Sequence, residues 1–357
     1  MAVIMLAGTG KISNAIAQTL VLTAGATDSI SLVVLGRKLE HAEQTLGQAQ
    51  AIASCLGRKI TGEAYAVDWQ DPLSIRPALE RWEPDLVVQM ASEQPPSELG
   101  NDDAWSQLVT DAGFGITLPL HLPPLRTVCL AMESLGKRIP VLNACFPDLV
   151  NPVAARLGWP VVGGFGNLAT VAAIVRAQWP AVENARFFGC HHHLSRFLNK
   201  NLELEHMPRC FTAHDEVTPL ELLKVLRSAP KPADISTLTA ATATSMIRAL
   251  CGLDAYWKGI VSGPQGKVGG FPAEIKSKAF ELDVEGLDFP ALEQWNIAQE
   301  SGDGVLVNQN LEYTPAAVEL IRRHVPHFKA SWSVDDISIS TLMDMTRQLK
   351  NRLKSLG

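Results

Sequence analysis

The sequence predicts an α/β protein: a doubly wound parallel sheet first, then a half of α+β type. Three features predict it. Apolar runs alternate with amphipathic stretches from Val3 to Asn143, a glycine-rich turn joins the first run to the first amphipathic stretch, and the pattern changes after about residue 165.

The first run, Val3 to Ala7, leads into Gly8-Thr9-Gly10-Lys11-Ile12-Ser13. An amphipathic helix follows, and a second apolar strand, Ser31 to Leu35, ends in Gly36-Arg37-Lys38. Strand, turn, helix and strand fit within the roughly 30 residues of a dinucleotide-binding βαβ unit. Gly8 serves the tight turn and Gly10 lets the backbone approach a pyrophosphate, while the helix N–H groups face that anion. Ser13 stands where a third small residue packs helix on strand. Gly8, Thr9, Gly10, Lys11 and Ile12 are therefore the expected cofactor loop.

The end of the second strand selects the nucleotide. An acid there accepts hydrogen bonds from the ribose 2′-OH of NAD, whereas this chain has Arg37 and Lys38. A guanidinium fork suits a 2′-phosphate, so NADP(H) is expected, with NAD(H) as the alternative.

Leu39 to Leu56 reads as a helix with one buried face, and Thr61 to Val67 as a third strand ending at Asp68, which is placed to contact adenine. A helix from Asp71-Pro72 to Arg81 precedes a buried fourth strand, Asp85 to Met90. Ala91 and Ser92, at its end, suit a backbone passing under the pyrophosphate. Ser97 to Leu118 reads as a mobile cover over the nicotinamide side. A helix, Leu120 to Leu135, and a fifth strand, Ile139 to Asn143, complete the doubly wound part, with its ligand at the carboxyl ends of the strands.

Beyond residue 165 a helix, Leu168 to Gln178, leads to a strand, Ala185 to Phe188, and then Gly189-Cys190-His191-His192-His193. A long helix, Ser236 to Leu250, precedes hairpin-like segments from Gly259 to Asp283, and helices follow at Thr314 to His324 and Ile337 to Leu356. With 357 residues, more than one core comfortably supports, the chain divides into a Rossmann nucleotide domain at 1–165 and an α+β catalytic domain at 166–357.

Composition narrows the function. Apolar residues make up 46% and charged ones 19%, those of an ordinary soluble protein. A net charge of −6 with no basic stripe argues against nucleic acid, and no run is long enough to span a membrane. The apolar start lacks a basic leader and is already used as a strand, so no signal peptide is expected. Six cysteines without paired spacing suit reduced thiols in a cytoplasmic protein.

The histidine triplet is the sharpest chemical feature. Continued as a strand, it would point His191 and His193 one way and His192 the other. A histidine beside the nicotinamide can exchange the proton that accompanies hydride transfer. His191 and His192 are both candidates, and Asn143 could orient a substrate carbonyl. His193 and Arg196 are candidates for substrate contact, with Lys200 a further cation nearby. His191 and His193 have no obvious third ligand beside them, so no metal is expected.

The glycine loop with Val33-Val-Leu-Gly-Arg-Lys-Leu-Glu-His-Ala-Glu43 resembles the nucleotide domain of saccharopine-dehydrogenase-like reductases, in which a Gly-Arg pair follows strand two. The second half resembles the lactate/malate dehydrogenase-like superfamily, which includes NAD-dependent glycosidases. The residues that carry this are Asn143, Val150-Asn-Pro-Val153, Gly164-Phe-Gly-Asn167 and the strand ending in Gly-Cys-His-His-His-Leu, where that superfamily carries its active-site histidine. The register implies His191 in the dehydrogenases, and the glycosidase-like Gly-x-x-His spacing implies His192. The chain departs from both groups. Ala169 and Ala172 stand where the hydroxyacid dehydrogenases have an Asp and an Arg, and Gly166 replaces the metal-binding cysteine of the glycosidases.

Together these readings imply hydride transfer to or from a C–O or C–N carbon of a small polar metabolite: a keto acid, an imine or an amino-acid conjugate. The alternatives are a nucleotide-binding sensor or accessory protein, and a glycosidase-like enzyme that oxidises its substrate transiently. Related architectures imply a homodimer.

Overall fold

The computed structural model describes residues 1–100, 102–199 and 202–355; Lys200 lies outside them. Six parallel strands carry the first half: β1 (Ala2–Ala7), β2 (Ile30–Gly36), β3 (Ile60–Ala66), β4 (Leu86–Gln89), β5 (Val141–Asn143) and β6 (Val161–Gly164). Between them run α1 (Lys11–Thr23), α2 (Leu39–Cys55), α3 (Arg76–Trp82), α4 (Ala104–Ala112), α5 (Leu118–Ser134) and α6 (Pro147–Arg156). Their spatial order, β3-β2-β1-β4-β5-β6, is the doubly wound arrangement of a Rossmann fold. The strand order reverses between β1 and β4, so the ligand crevice opens at their carboxyl ends.

Both faces of β1 are buried, which is why it reads as an unbroken apolar run. Val3, Met5 and Ala7 join one core layer, with α4 and α5. Ala2, Ile4 and Leu6 join the other, with α1 and α2.

The second half begins with α7 (Asn167–Gln178), β7 (Arg186–Phe188) and α8 (His191–Leu198), followed by β8 (Arg209–Phe211), β9 (Glu216–Val217), α9 (Pro219–Ser228) and α10 (Ile235–Leu250). Next come β10 (Trp257–Ser262), β11 (Gly270–Lys276) and β12 (Ala279–Leu282), which continue the first sheet antiparallel to β6 through the pairing of Ser262 with Gly164. The central sheet thus has nine strands, mostly parallel. Last are α11 (Phe289–Glu300), β13 (Val305–Val307), β14 (Asn310–Tyr313), α12 (Pro315–Arg322), β15 (Ser331–Ser333) and α13 (Asp336–Lys354). Among the described residues, no helix is long and apolar enough to cross a membrane.

Two expectations are corrected. From Asp103 to Leu118 the expected cover is packed: Asp103 caps α4 by accepting the Ser106 N–H at 2.7 Å, and the fully buried Trp105 donates to Gln94 at 2.8 Å. Its polar residues and glycines hid the amphipathic turn around Trp105. The histidine triplet opens a helix, since Cys190 accepts at its N-terminus and His193 reaches back to the Cys190 N–H.

Arg248 ties α10 to the loop before β2, reaching Asp28 at 2.7 Å and both oxygens of Asp254 at 2.7 and 2.8 Å. Arg248→Met leaves the shielded Asp28 short of a partner. A loss of about 1–3 kcal/mol is expected in urea denaturation, below the full cost of a broken buried pair because Asp254 is half open to solvent.

Candidate active site

The crevice is built from the glycine turn. Gly8 adopts φ +132°, and a Cβ there would stand 3.0 Å from the backbone of Met90 and Ala91, so the turn packs directly on the end of β4. Around the Cβ direction of Gly10, by contrast, the space is open for 4 Å. The first intrahelical bond of α1 runs from Asn14 N–H to Gly10 C=O, which leaves the N–H groups of Lys11, Ile12 and Ser13 without helical acceptors. No acid lies in that first turn, and no side chain caps it. The edge therefore fits a pyrophosphate, with Thr9 on the same turn and Ala91 and Ser92 facing it from β4.

Arg37 and Lys38 are exposed past β2, and Arg37 lines a cleft with Gln70, Glu93, Arg347 and Lys350. The last two come from α13, which the sequence reading did not bring here. Arg347 binds both oxygens of Glu93, at 2.8 and 2.9 Å, and Lys350 reaches the Glu93 carbonyl and the Glu98 carboxylate. Asp68 is exposed at the end of β3 and accepts the Gln70 N–H at 2.9 Å, which shapes a local turn.

At the other end, α8 fans its three histidines by about 100° per residue. His191 Nδ1 lies 3.2 and 3.3 Å from the two oxygens of Asp303. Its ring stacks on Phe114 at 4.4 Å and meets the edge of Phe146 at 5.1 Å. Burial lowers its pKa, but the charge and hydrogen bond of Asp303, helped by Asp148, outweigh this and raise it.

His192 and His193 turn into the interior. His192 Nδ1 is 3.1 Å from Cys190 Sγ, and burial pushes its pKa down to about 4. His193 stacks on His192 at 4.2 Å and accepts the Cys190 N–H at 3.0 Å, and burial holds it neutral as well. His192 is thus not placed as the acid–base group, nor His193 as a substrate contact. Asn143 is also spent structurally. It donates to Cys145 C=O and Asn151 and accepts the Cys145 N–H, shaping the turn after β5. Arg196 stands half-buried one turn beyond His192.

An aromatic cluster joins the two ends. Ser92 Oγ is 2.8 Å from His121 Nδ1, and Thr117 Oγ1 is 3.2 Å from Nε2. Burial pushes the His121 pKa down to about 3. His121 lies against Phe114 and Phe146, the rings that pack on His191. Cys145 donates to Ala91 C=O at 3.3 Å, and burial pushes its thiol up to about 12.

Three acids are buried around Cys190, at the start of α8. Asp148 accepts from Asn167, leaves its other oxygen unpartnered, and is pushed up to about 6, mainly by burial. Glu300 has neither oxygen bonded, and burial raises its carboxyl well above the usual range. Asp303 is seated by two glycines: a Cβ on Gly113 or Gly115 would lie 2.4 or 2.6 Å from its carbonyl oxygen. The acid at His191 comes from the turn after α11, more than a hundred residues along the chain. Flanked by Gly302 and Gly304, Asp303 reads as an ordinary surface turn, and nothing local to it signals its burial.

No family model matches the chain, and no curated protein matches it. Solved structures do. Malate dehydrogenase from Aeropyrum pernix is 14% identical with a TM-score of 0.50, covering 90% of this chain and 97% of its own. Malate dehydrogenase from Plasmodium falciparum is 14% identical, with a TM-score of 0.49 over 90% and 100%. The minor L-lactate dehydrogenase from Enterococcus mundtii is 13% identical, with a TM-score of 0.48 over 84% and 96%. At these identities the likeness is one of fold, and it rests on the Aeropyrum pernix protein.

Proposed function

We propose that this chain is an NADP(H)-dependent oxidoreductase that transfers hydride to or from a C–O or C–N carbon of a small polar metabolite, with a keto acid or an imine as the substrate group. The observation that carries this reading is the His191–Asp303 pair, set across an aromatic cluster from Ser92 at the ligand edge of a Rossmann sheet. A bound nicotinamide supplies or accepts the hydride. His191 gives or takes the accompanying proton, and Asp303 holds the imidazole by Nδ1, which leaves Nε2 for the substrate. Phe114 and Phe146 pack on the imidazole and fix the plane of its ring. We take residues 1–165 as the nucleotide-binding half and 166–357 as the catalytic half, joined through one sheet. The resemblance of the first half to saccharopine-dehydrogenase-like reductases favours the imine.

The preference for NADP(H) rests on Arg37, with Lys38 beside it and no acid at that strand end. Titration with NADPH and NADH, followed by Trp fluorescence, is expected to show tighter binding of NADPH. Arg37→Ala should weaken NADPH by about 10- to 100-fold, the worth of a hydrogen bond to a charged group, and leave NADH nearly unchanged. If neither nucleotide binds at millimolar concentration, the glycine turn is a packing device and the oxidoreductase reading fails.

A further inference from the structure

Arg37 shares its cleft with the last helix. The cleft measures about 230 Å³, below the roughly 300–1,000 Å³ that encloses a whole drug-sized ligand, so it suits one end of a dinucleotide. Arg37, at the end of β2, marks that as the adenosine end. Three cations line the cleft, Arg37, Arg347 and Lys350, against one carboxylate, Glu93. Arg37 is exposed and carries no ion pair among the described residues. Arg347 is held but keeps donors free. Its Nε and Nη2 donate to the two oxygens of Glu93 at 2.8 and 2.9 Å, and its Nη1 to Asp344 at 2.7 Å. A guanidinium has five N–H groups, so two are left, and 31% of the side chain is open to solvent. Lys350, nearly buried, reaches the Glu93 carbonyl and the Glu98 carboxylate, which Lys354 also binds, so it brings charge but no free donor. Asn351, one turn beyond Arg347, is exposed, and its side-chain amide has no partner among the described residues.

We propose that Arg347 is a second ligand of the 2′-phosphate, facing Arg37 across the cleft, so that α13 completes the NADP(H) site. The proposal rests on the nucleotide reading given above and adds to it the residue that sets the strength of the preference. Water screens an exposed arginine paired singly with a phosphate, and such a pair holds weakly. Two guanidinium groups on one dianion share its charge and can fork onto separate oxygens. Glu93 acts in two ways. It fixes the Arg347 fork, and its own negative charge opposes a phosphate, so the pair tunes how far the cleft favours NADP(H). The 2′-OH of NAD(H) is uncharged and gains little from either residue. Arg37 and Arg347 stand more than three hundred positions apart, which is why the sequence pointed to Arg37 alone.

The test titrates the full chain with NADPH and NADH, followed by Trp fluorescence, and then with adenosine 2′,5′-bisphosphate and 5′-AMP, which lack the nicotinamide end. Arg347→Gln is expected to weaken NADPH and the bisphosphate by about 10-fold or more and to leave NADH and 5′-AMP nearly unchanged. Glu93→Gln keeps an acceptor for Arg347 but removes the opposing charge. It should tighten the two 2′-phosphorylated ligands by about 2- to 5-fold. A pair that only braced the fold would weaken all four ligands alike in both variants. Arg126→Gln is the control. Arg126 holds both oxygens of Asp336 at 3.0 Å, about three turns from Arg347, and losing that tie to α13 should change no affinity. Circular dichroism checks that each variant is folded, and if Arg347→Gln does not fold, the sign of the Glu93→Gln effect decides. The proposal is overturned if NADPH binding depends on Arg37 and not on Arg347, which leaves the nucleotide reading intact. It is equally overturned if Arg347→Gln weakens NADH as much as NADPH, or if Glu93→Gln weakens NADPH. If no nucleotide binds, the nucleotide reading itself fails and Arg347 falls with it.

Discussion

His191→Asn is expected to lower turnover by about 10²- to 10⁴-fold, the usual contribution of a positioned acid–base group, with NADPH affinity nearly unchanged. The substrate is the one returned by an NADPH-oxidation screen of keto acids and imines. Asp303→Asn should cost less. The amide still accepts from Nδ1 but no longer carries the charge that favours the protonated ring. Because the two residues act as one unit, the double variant should be little slower than His191→Asn alone. Additive losses would mean that Asp303 acts on something other than His191. Full activity in His191→Asn would remove His191 from the mechanism.

Gly115→Ala should lower both stability and turnover although it removes no chemical group. Its Cβ would lie 2.1 Å from Val305 Cγ1 and 2.6 Å from the Asp303 carbonyl, so the turn bearing Asp303 must move. Overpacking of this kind costs about 1–3 kcal/mol, and misplacing a catalytic pair by about 1 Å can cost 10²-fold in rate. Gly47→Ala is the control. It makes the same chemical change inside α2, where no atom lies within 4 Å of the new Cβ, and helix propensity predicts a gain of about 0.5–1 kcal/mol. Thermal melts of the two variants should therefore move in opposite directions. A Gly115→Ala protein as stable and active as the parent would show that the turn is not held as tightly as its packing implies.

The parallel sheet was legible because its strands are buried on both faces and so read as continuous apolar runs, and because the glycine turn falls at the first of them. The glycine turn and the start of α1 were legible for the same reason, since Gly8 to Ser13 follow that run directly. The second half was harder. Three consecutive histidines carry no periodicity that separates a strand from a helix start, and a cysteine is not among the preferred capping residues. Asp148 and Asp303 reach His191 from two distant places in the chain, and burial of an acid leaves no mark on the residues around it. Phe114 sits in a segment whose glycines suggested mobility, although they are there to let it pack on Asp303. Arg347 and Lys350 read as the solvated face of a last helix.

That last helix bears on how the protein is made. β1 to β4 and the glycine turn are synthesised within the first hundred residues, but Glu93 waits for Arg347, 254 positions later. At about 5–20 residues per second, the interval is roughly 10–50 s. Throughout it, the apolar surface of α4 and α5 that Ile339, Leu342 and Met343 will cover stays open. A nascent chain can thus form the turn long before the wall of the cleft exists, and the nucleotide proposed for the cleft would stabilise only a chain that has already emerged. During synthesis the burden falls on whatever shields that exposed helix pair, so a shortage of chaperone should lower the yield of folded protein more than a shortage of cofactor.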